Sequence, residues 1–583
     1  MNPSDKLREQ VLKHLAVAVA MPKKGVEVVL EKPPEGLGAD LAFPCFLLSK
    51  KLKKDPRIIA IDVVNKLAKT DAAKAKKTAS LIADVRAVGP YVNFYADWGR
   101  LNGLVLKDIL KQRGKYGSSK QSKERVMTEF AHPNTHKAFH IGHVRNICLG
   151  ESISRLLAFS GKKVIRANYQ GDIGPHVAKC LWGYINIHKK KAPKGRGIDK
   201  GLWLGEVYAR ASQKVRGNDK LEAEVREINS KLYAGDKDMV KLWKQTRQWS
   251  LDYYERVYRD FGAKFDRLYF ESEVEKPGKA AALGLLKKGL AKKSQGAVVM
   301  DYEKDGLGIF VLLTQDGNPL YGAKDLGLAK LQVKEHRPDS ILHIVGTEQN
   351  TYFRQLFRTF GLMDKGLAKK EHHICYELVN LPTGKMSSRT GTVITYDKLR
   401  KKLASLARKV TAQKNPKLKG KALERAAEIV ALGALKYGML MVSPEKTILF
   451  DWDRALSFEG NSAPYIQYSH ARACSILRKS GKAIPATASI GKGLGSEQEI
   501  ALTRHLAAFP ETAAHAARDL RPHYMANYAY DLATKFNEFY EKSPVLSAPT
   551  KELKASRLAL VKAARIVMGN ALELLGIGAP ERM

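Results

Sequence analysis

The amino-acid sequence predicts an α/β protein of three units, placed at residues 1–120, 121–450 and 451–583. In the middle unit, strand-like apolar stretches alternate with segments of helical periodicity. From about residue 455 the strand signal fades and a period near 3.6 residues takes over. A chain of 583 residues is long enough for about three domains of roughly 100–200 residues each.

The middle unit opens with a pattern that predicts a Rossmann-type parallel sheet. RVMTEF reads as an apolar strand, and KKVIRANY reads as a second one. Between them Leu149, Ile153 and Leu156 recur at helical spacing until Gly161 ends the pattern. In such a βαβ unit, ligands collect at the carboxyl ends of the strands. We therefore expect the segment after the first strand to line a binding site.

The flanking units differ from the middle unit in the spacing of their apolar residues. Residues 1–120 combine an amphipathic helix at 7–19 with a Pro- and Gly-rich loop and the strand-like end VGPYVNFYA, which predicts an α/β unit. The basic run KYGSSKQSKER that follows is typical of a linker. In residues 451–583, two apolar stripes predict an all-α bundle. The stripes are Met525, Tyr528, Ala529, Leu532, Phe536, Phe539 and Tyr540, and Leu560, Ala564, Val567, Ala571 and Leu575.

The charge of the chain narrows the class of partner. Lys and Arg number 100 against 59 Asp and Glu, and the formal net charge of +41 favours a polyanion, with nucleic acid first. A membrane surface is the competing interpretation. No apolar run near 18 residues is present to span a bilayer, and no basic helix with a bulky apolar face stands out, so we expect no membrane association.

The cysteines and the first residues bear on metal binding and compartment. Cys45, Cys148, Cys180, Cys375 and Cys474 are scattered, without a CxxC pair, which predicts neither a structural zinc nor a disulfide framework. The opening MNPSDKLREQVLKHL carries acids early and has no signal-type apolar segment. A reducing cytoplasm is the expected location.

The stretch AHPNTHKAFHIGHVRN lies where the first strand gives way to the helix. A helix N-terminus presents unpaired N–H groups and a positive dipole end, so it is suited to phosphate. Gly142 has no Cβ and would let a nucleotide approach closely, while His140 and His143 could donate hydrogen bonds to phosphate oxygens. The alternative is that both histidines are ordinary core-edge residues.

A second motif, LPTGKMSSRTG at residues 381–391, reads as a small cationic loop. Lys385 and Arg389, with Ser387 and Ser388 between them, suit a clamp on a triphosphate. HIGH before a helix, together with KMSSR in a later loop, resembles the motif pair of class I aminoacyl-tRNA synthetases.

Longer segments narrow the resemblance to the arginyl-tRNA synthetase family and extend it over nearly the whole chain. They are TEFAHPNTHKAFHIGHVRN, NYQGDIGPH, PLYGAKDLG, KMSSRTG, APYIQYSHARACSI and the terminal LGIGAPERM. The resemblance implies ligation of arginine to the 3′ end of tRNA(Arg) through an arginyl-adenylate, with ATP and Mg²⁺. It also implies an added domain for the tRNA elbow in residues 1–120 and a DALR-type anticodon-binding domain in 451–583. An editing domain is not expected, and a monomer is.

The same resemblance assigns the site residues. The arginine pocket is expected to hold Glu129, Asn134, Tyr321, Asp325 and Gln349. The ATP site is expected to hold His140, Gly142, His143, Lys385, Met386, Ser387 and Ser388. Because Ser388 stands where the general motif has a second lysine, Lys137 is the candidate for the missing charge, beside Arg389. Asp172 and Gly174 are expected in the same cleft, with His176 nearby. None of these residues is expected to bind a resident metal.

The tRNA-binding surface is expected on the bundle. The mixture of aromatic and polar groups in APYIQYSHAR could stack on or read unpaired bases. The candidates are Tyr465, Gln467, Tyr468, His470 and Arg472, with Met583 at the end of the chain.

Two other classes of function remain open from the sequence. A catalytically silent RNA-binding relative would lack the chemistry, and the intact HIGH, Lys385, Glu129 and Asp325 argue against it. A class I synthetase for lysine could tolerate an acidic pocket, but the KMSSR form and the DALR-like bundle argue against that.

Overall fold

The computed structural model describes residues 2–33, 38–69, 80–380, 394–481 and 490–583. Within these ranges, no helix combines the length and apolar composition needed to cross a bilayer. Nor do the described residues bring three or more His, Cys, Asp or Glu side chains into a metal-binding group.

The N-terminal unit is an antiparallel sheet of order β1-β3-β2 covered by helices. The strands are β1 (Leu41–Pro44), β2 (Ile82–Val88) and β3 (Tyr91–Ala96), and the helices are α1 (Pro3–Ala18), α2 (Lys23–Val29), α3 (Phe46–Leu52), α4 (Pro56–Lys69) and α5 (Trp98–Gln112). Helix α1 starts earlier than the apolar period indicates, because the Asn2 side chain accepts from the Asp5 amide and Asp5 accepts from Asn2 in return.

The middle unit is built on five parallel strands of order β11-β10-β4-β5-β6, which confirms the predicted Rossmann-type sheet. The strands are β4 (Arg125–Glu129), β5 (Lys163–Gln170), β6 (Arg267–Phe270), β10 (Ser340–Gly346) and β11 (Glu371–Tyr376). Helix α6 (Ile141–Phe159) joins β4 to β5. Connections leave the sheet in opposite directions on the two sides of β4, so the crevice between β4 and β10 is the topological switch point. Open parallel sheets commonly bind ligands at such a point.

Two insertions extend this sheet. Helices α7 (Pro175–Asn186), α8 (Gly197–Val215), α9 (Asp219–Ala234) and α10 (Lys237–Phe261) separate β5 from β6. Between β6 and β10 stand α11 (Glu271–Lys287), the antiparallel β7 (Lys292–Ser294), β8 (Ala297–Tyr302) and β9 (Gly308–Leu313), and α12 (Tyr321–His336). Helices α13 (Asn350–Met363) and α14 (Lys365–Ala368) lead to β11.

The chain then passes to helices, as the sequence predicts. A short parallel pair, β12 (Val379–Asn380) and β13 (Ile448–Leu449), brackets α15 (Tyr396–Lys414) and α16 (Gly420–Leu440). After α17 (Trp452–Ala455), the bundle consists of α18 (Ala463–Lys479), α19 (Glu497–Arg518), α20 (Pro522–Lys542) and α21 (Lys551–Leu574). The stripe from Met525 to Phe539 is buried, so it forms core, whereas Tyr540 is 42% exposed.

The three units share one hydrophobic core, which runs from α1 through α6 into the bundle. At the joint, the ring of Tyr116 stacks on Phe509 with centroids 6.0 Å apart, and Asn570 donates to the carbonyl of Arg113 at 2.9 Å. All five cysteines are free thiols; Cys375, on β11, is half-buried and the others are buried.

Candidate active site

The start of α6 is capped by its own histidines. Nδ1 of His140 accepts from the amide of Gly142 at 3.2 Å, and Nδ1 of His143 accepts from the amide of His140 at 3.2 Å. The two rings lie 3.8 Å apart. Because each Nδ1 is an acceptor, the proton of each neutral imidazole is on Nε2. Both side chains therefore offer an N–H donor at the carboxyl end of the parallel sheet.

Both histidines are neutral near pH 7. Burial, and then the charge of Lys137, lower the pKa of His140 to about 4. Burial, with His140 and Lys137 nearby, holds the pKa of His143 well below its usual range. The ammonium of Lys137 lies 5.0 Å from the ring centre of Tyr208 and supplies the positive charge here. A Cβ on Gly142 would stand 3.1 Å from the His140 ring, so glycine also lets that ring cap the helix.

The loop between β4 and α6 is held in an unusual conformation. Ala131, His132 and His136 have φ values of 76°, 43° and 65°, a region that residues with a side chain rarely adopt. The hydroxyl of Tyr254 donates to the carbonyls of Asn134, at 2.6 Å, and Lys137, at 2.8 Å. Backbone strain of this kind clusters at functional sites.

Glu129, the last residue of β4, is already engaged within the protein. Its Oε1 lies 3.0 Å from Nδ1 of His343, and its Oε2 accepts from Gln332. Nε2 of His343 lies 2.6 Å from Glu371. Burial alone would raise the pKa of Glu129, but His343 holds it below the usual value, and the two carboxylates raise the pKa of His343 well above its own. Both oxygens of Glu129 thus have partners before any ligand arrives.

Asp325 differs, because one of its oxygens has no partner. It lies one turn into α12, which begins at Tyr321 as the sequence analysis assumed. The Tyr352 hydroxyl donates to Oδ2, while within the described chain the buried Oδ1 has no hydrogen-bond partner. Burial, with the charges of Glu129 and Glu271, raises the pKa of Asp325 to about 7. A buried acceptor without a donor is costly, and a cationic ligand would supply the donor.

Glu271 is a functional candidate that the sequence analysis missed. It is buried at the carboxyl end of β6, and its Oε2 accepts from the Lys324 ammonium at 2.7 Å. A Cβ on Gly171 would lie 2.1 Å from Oδ1 of Asn134 and 3.0 Å from Oε1 of Glu271, so these residues meet around a glycine. An acid directly after a parallel strand was the signal that could have found it.

The remaining cleft residues have mainly supporting roles. Asp172 is fully buried, accepts from the amide and hydroxyl of Ser272 at 2.9 and 2.7 Å, and pairs with Arg247 at 3.1 Å. Gly174 has φ of 118° at the start of α7, a conformation suited to glycine. Nε2 of His176 lies 3.2 Å from the carbonyl of Gly171. These contacts hold the loop after β5 in place.

Two predicted arginine-pocket residues are exposed. Tyr321 is 59% exposed at the first turn of α12, and Gln349 is exposed in the turn after β10. Lys385, Met386, Ser387, Ser388 and Arg389 lie outside the described residues.

The bundle divides the predicted RNA-binding residues into two groups. Gln467 is fully buried and donates to the carbonyl of Gly578 at 2.8 Å, and His470 contacts the carbonyl of Pro580 at 3.0 Å. Met583 is buried as well, and its main-chain carboxylate oxygen accepts from the Asn415 side-chain amide at 2.9 Å. These three residues hold the end of the chain against the helices and do not face solvent.

The partly exposed group centres on Arg472. Its guanidinium lies 5.0 Å from the ring centre of Tyr468 and 5.1 Å from that of Tyr540, and it donates to Asn537 at 2.8 Å. Tyr465 is half-buried, with its ring 5.6 Å from that of Tyr530. An ordered cation between two aromatic rings is suited to unpaired bases.

Three family models match the chain in order. "Arginyl tRNA synthetase N terminal domain" matches residues 5–96, "tRNA synthetases class I (R), catalytic domain" matches 105–452, and "DALR anticodon binding domain" matches 466–583. The switch-point crevice, the HIGH helix and these matches define a class I aminoacyl-tRNA synthetase.

Individual relatives narrow the class. The chain is 36% identical to an arginine–tRNA ligase of Treponema denticola, over 94% of each chain, and 33% identical to one of Clostridium beijerinckii, over 100% of each. The solved arginyl-tRNA synthetase of Thermus thermophilus superposes with a TM-score of 0.80 at 28% identity, covering 99% of this chain and 100% of that one. This chain belongs to the arginyl-tRNA synthetase family.

The raised pKa of Asp325 generates a prediction about stability. A carboxyl with a pKa of about 7 in the folded chain and 3.8 ordinarily destabilises the fold above pH 7, and this penalty is lost as the pH falls toward 4. We expect Asp325→Asn to be more stable than wild type by roughly 2–4 kcal/mol at pH 8, since each pKa unit is about 1.4 kcal/mol. Urea unfolding at pH 8 and pH 5 would measure this, with the exposed Asp316→Asn as control. The prediction is wrong if the difference does not shrink at pH 5.

Proposed function

We propose that this chain ligates arginine to tRNA(Arg) with ATP, through an arginyl-adenylate, releasing AMP and pyrophosphate. The observation that carries the proposal is the buried, unpartnered Oδ1 of Asp325 beside Glu271, at the same sheet edge as two Nε2–H donors. The carboxylates of Asp325 and Glu271 suit a cationic side chain, and the two Nε2–H donors suit phosphate. Their placement at the same edge of the sheet fits a reaction that joins an amino acid to a nucleotide.

In the first step, the arginine carboxylate attacks the α-phosphorus of ATP and pyrophosphate leaves. The Nε2–H groups of His140 and His143 donate to phosphate oxygens as negative charge develops, while Lys137 adds positive charge. Lys385 and Arg389 are assigned to the β- and γ-phosphates. Mg²⁺ accompanies ATP and offsets part of its charge. No covalent enzyme intermediate is needed, because binding and orientation carry most of the rate enhancement.

Recognition of arginine rests on the geometry of its side chain. A guanidinium is a planar fork of five donors, so it can serve Asp325 and Glu271 together, with Tyr321 and Gln349 at the rim. A lysine ammonium is a compact point charge that would leave an acceptor unpaired. We assign Asn134, beside Glu271, to the α-amino or carboxylate end. We assign Glu129 an indirect role, because its carboxylate is hydrogen-bonded to His343 and orients that imidazole.

In the second step, the terminal ribose of the tRNA takes the arginyl group from the adenylate. We assign Tyr468 and Arg472, with Tyr540, to unpaired anticodon bases, because these side chains are partly exposed and adjacent. Tyr465 borders this group, while Gln467 and Met583 support the surface by fixing the end of the chain. Residues 1–120 are assigned to the tRNA elbow, and the chain is proposed to act as a monomer.

The direct test is aminoacylation of total tRNA with Mg-ATP and each labelled amino acid in separate reactions. Charging with arginine alone is the expected result. Charging with lysine would favour the other cationic specificity. No charging by a protein shown to be folded would favour a silent RNA-binding role.

The guanidinium assignment predicts a pH-dependent arginine KM. Because the pKa of Asp325 is about 7, its carboxylate is lost as the pH falls from 8 to 6, and the arginine KM should rise about tenfold. Asp325→Asn should raise the arginine KM about 10²-fold and remove this dependence, since losing one partner of a buried charge pair costs about 2–5 kcal/mol. The ATP KM serves as the internal reference. An equal rise in both KM values would contradict the assignment.

The assignment of the histidines predicts a loss of rate. His143→Ala removes one Nε2–H donor and should lower kcat by about 10²-fold or more, which is typical of a lost transition-state donor. The exposed His372→Ala is the matched control and should keep the wild-type rate. Steady-state aminoacylation at saturating tRNA measures both variants. A near wild-type kcat for His143→Ala would make that histidine a helix cap only.

A further inference from the structure

Lys324 lies on α12, one residue before Asp325, and its side chain is buried. Its ammonium donates to Oε2 of Glu271 at 2.7 Å, and each of the two side chains is only 6% exposed. Within the described chain, this is the only hydrogen bond that either charged group makes. Because the pair has so little access to water, loss of one charge would leave the other uncompensated.

The packing of two helices places this ion pair. Glu271 is the first residue of α11, and Lys324 reaches it from α12. The helices approach closely at glycines. A Cβ on Gly278 would stand 2.4 Å from the carbonyl oxygen of Ala323, and a Cβ on Gly327 would stand 2.7 Å from the backbone nitrogen of Gly278. Such close backbone packing leaves the two side chains little freedom to meet elsewhere.

The contact with Lys324 engages one oxygen of Glu271 and leaves the other. Within the described part of the chain, Oε1 of Glu271 accepts no hydrogen bond. A Cβ on Gly171 would lie 3.0 Å from this Oε1 and 2.1 Å from Oδ1 of Asn134, so Oε1 lies beside the loop after β5 and the Asn134 side chain. Lys324 therefore determines which oxygen of Glu271 is available at the proposed arginine pocket.

The ion pair also sets the charge of the pocket. Glu271 and an ionised Asp325 bring two negative charges and Lys324 brings one positive charge, which leaves one negative charge for a monocationic side chain to balance. Burial raises the pKa of Glu271, and the charge of Lys324 is the largest effect that lowers it. The nearby acids Asp172 and Glu275 both raise it. Without Lys324, we expect Glu271 to take up a proton.

We propose that Lys324 is a specificity-determining residue of the arginine pocket, which acts through Glu271 by pairing with Oε2 and keeping that carboxylate an acceptor. This inference rests on the proposed function, in which the guanidinium binds Glu271 and Asp325 together. An ionised carboxylate only accepts hydrogen bonds, which suits the N–H donors of a guanidinium. A protonated carboxyl also donates, and it would suit the ureido oxygen of citrulline, a neutral analogue of arginine. Lys324 therefore favours the cation over the neutral side chain.

Lys436 offers a matched control. It is also a buried lysine, on α16, and its ammonium donates to the carbonyl oxygens of Phe261 at 3.0 Å and Gly576 at 2.7 Å. Neither of these residues belongs to the proposed arginine pocket. Lys436→Met therefore removes a buried ammonium, as Lys324→Met does, without taking the partner from a pocket carboxylate.

The experiment measures aminoacylation at saturating tRNA, with citrulline as a competitor of arginine. Lys324→Met should raise the arginine KM about 30-fold or more, as expected when one partner of a buried charge pair is removed, while kcat and the ATP KM stay within about twofold. The ratio of the citrulline inhibition constant to the arginine KM should fall about tenfold. Lys324→Arg keeps the charge and should recover part of the loss. Lys436→Met should keep the wild-type arginine KM.

A double variant separates an action through Glu271 from an independent one. Glu271→Gln should itself raise the arginine KM, and adding Lys324→Met to it should raise the KM no further, because residues that act as a pair are not additive. The double variant removes both charges of the pair. It therefore carries the test if Lys324→Met alone does not fold.

Several outcomes would overturn the inference. These are a wild-type arginine KM in folded Lys324→Met or Glu271→Gln, a double variant whose arginine KM exceeds that of Glu271→Gln, and an equal rise in Lys436→Met. An ATP KM that rises in step with the arginine KM would indicate general disruption of the cleft. Failure of Lys324→Met and the double variant to fold, while Lys436→Met folds, would make Lys324 a folding residue. A wild-type protein that does not charge arginine is a separate result, which refutes the proposed function.

Discussion

The first turn of α6 is the constraint on which the rest of the site depends. This turn lies at the switch point between β4 and β10. Two of its backbone amides donate to imidazole nitrogens, at a position where serine or aspartate is the more usual cap. Nδ1 of each ring accepts from a backbone amide. The Nε2–H group is therefore the one left to donate to a ligand. His140, just before the helix, bridges Thr395, and Arg145, in its second turn, donates to the carbonyls of residues 377 and 378. One helix end thus contacts the described chain on both sides of residues 381–393.

The acidic side of the site shows how several buried carboxylates can coexist. Glu129 and Glu371 share the imidazole of His343, and Glu271 has the ammonium of Lys324. Asp325 has only a neutral tyrosine hydroxyl, so its charge is the one left for a ligand to balance. In the proposed arginine pocket, selectivity for a cation would come from this uncompensated carboxylate, whose burial destabilises the unliganded fold.

The sequence predicted what local patterns determine. Apolar spacing placed the βαβ unit, and the helix that begins at Tyr321 puts Asp325 one turn along, as inferred. Contacts between residues distant in sequence could not be predicted from local patterns. His343 is 214 residues from Glu129. Arg145 donates to backbone carbonyls, and because every residue has one, the sequence does not indicate which carbonyls are bound. Gln467 looked like a surface amide, but its helix has a buried face that receives the end of the chain. Glu271 follows strand β6 directly, and that position could have identified it as a site residue, but it was not predicted.

The distribution of thiols has a practical consequence. Burial raises the pKa of Cys45 to about 11 and that of Cys148 to about 12, and Cys180 and Cys474 are buried with raised pKa values too. Such thiols react slowly with maleimides, since the thiolate is the reactive form. Cys375 is half-buried and lies opposite Val345 in the register of β10 and β11. A single fluorophore could therefore be attached there without removing other cysteines, and it would report on the carboxyl end of the sheet, where the substrates are proposed to bind.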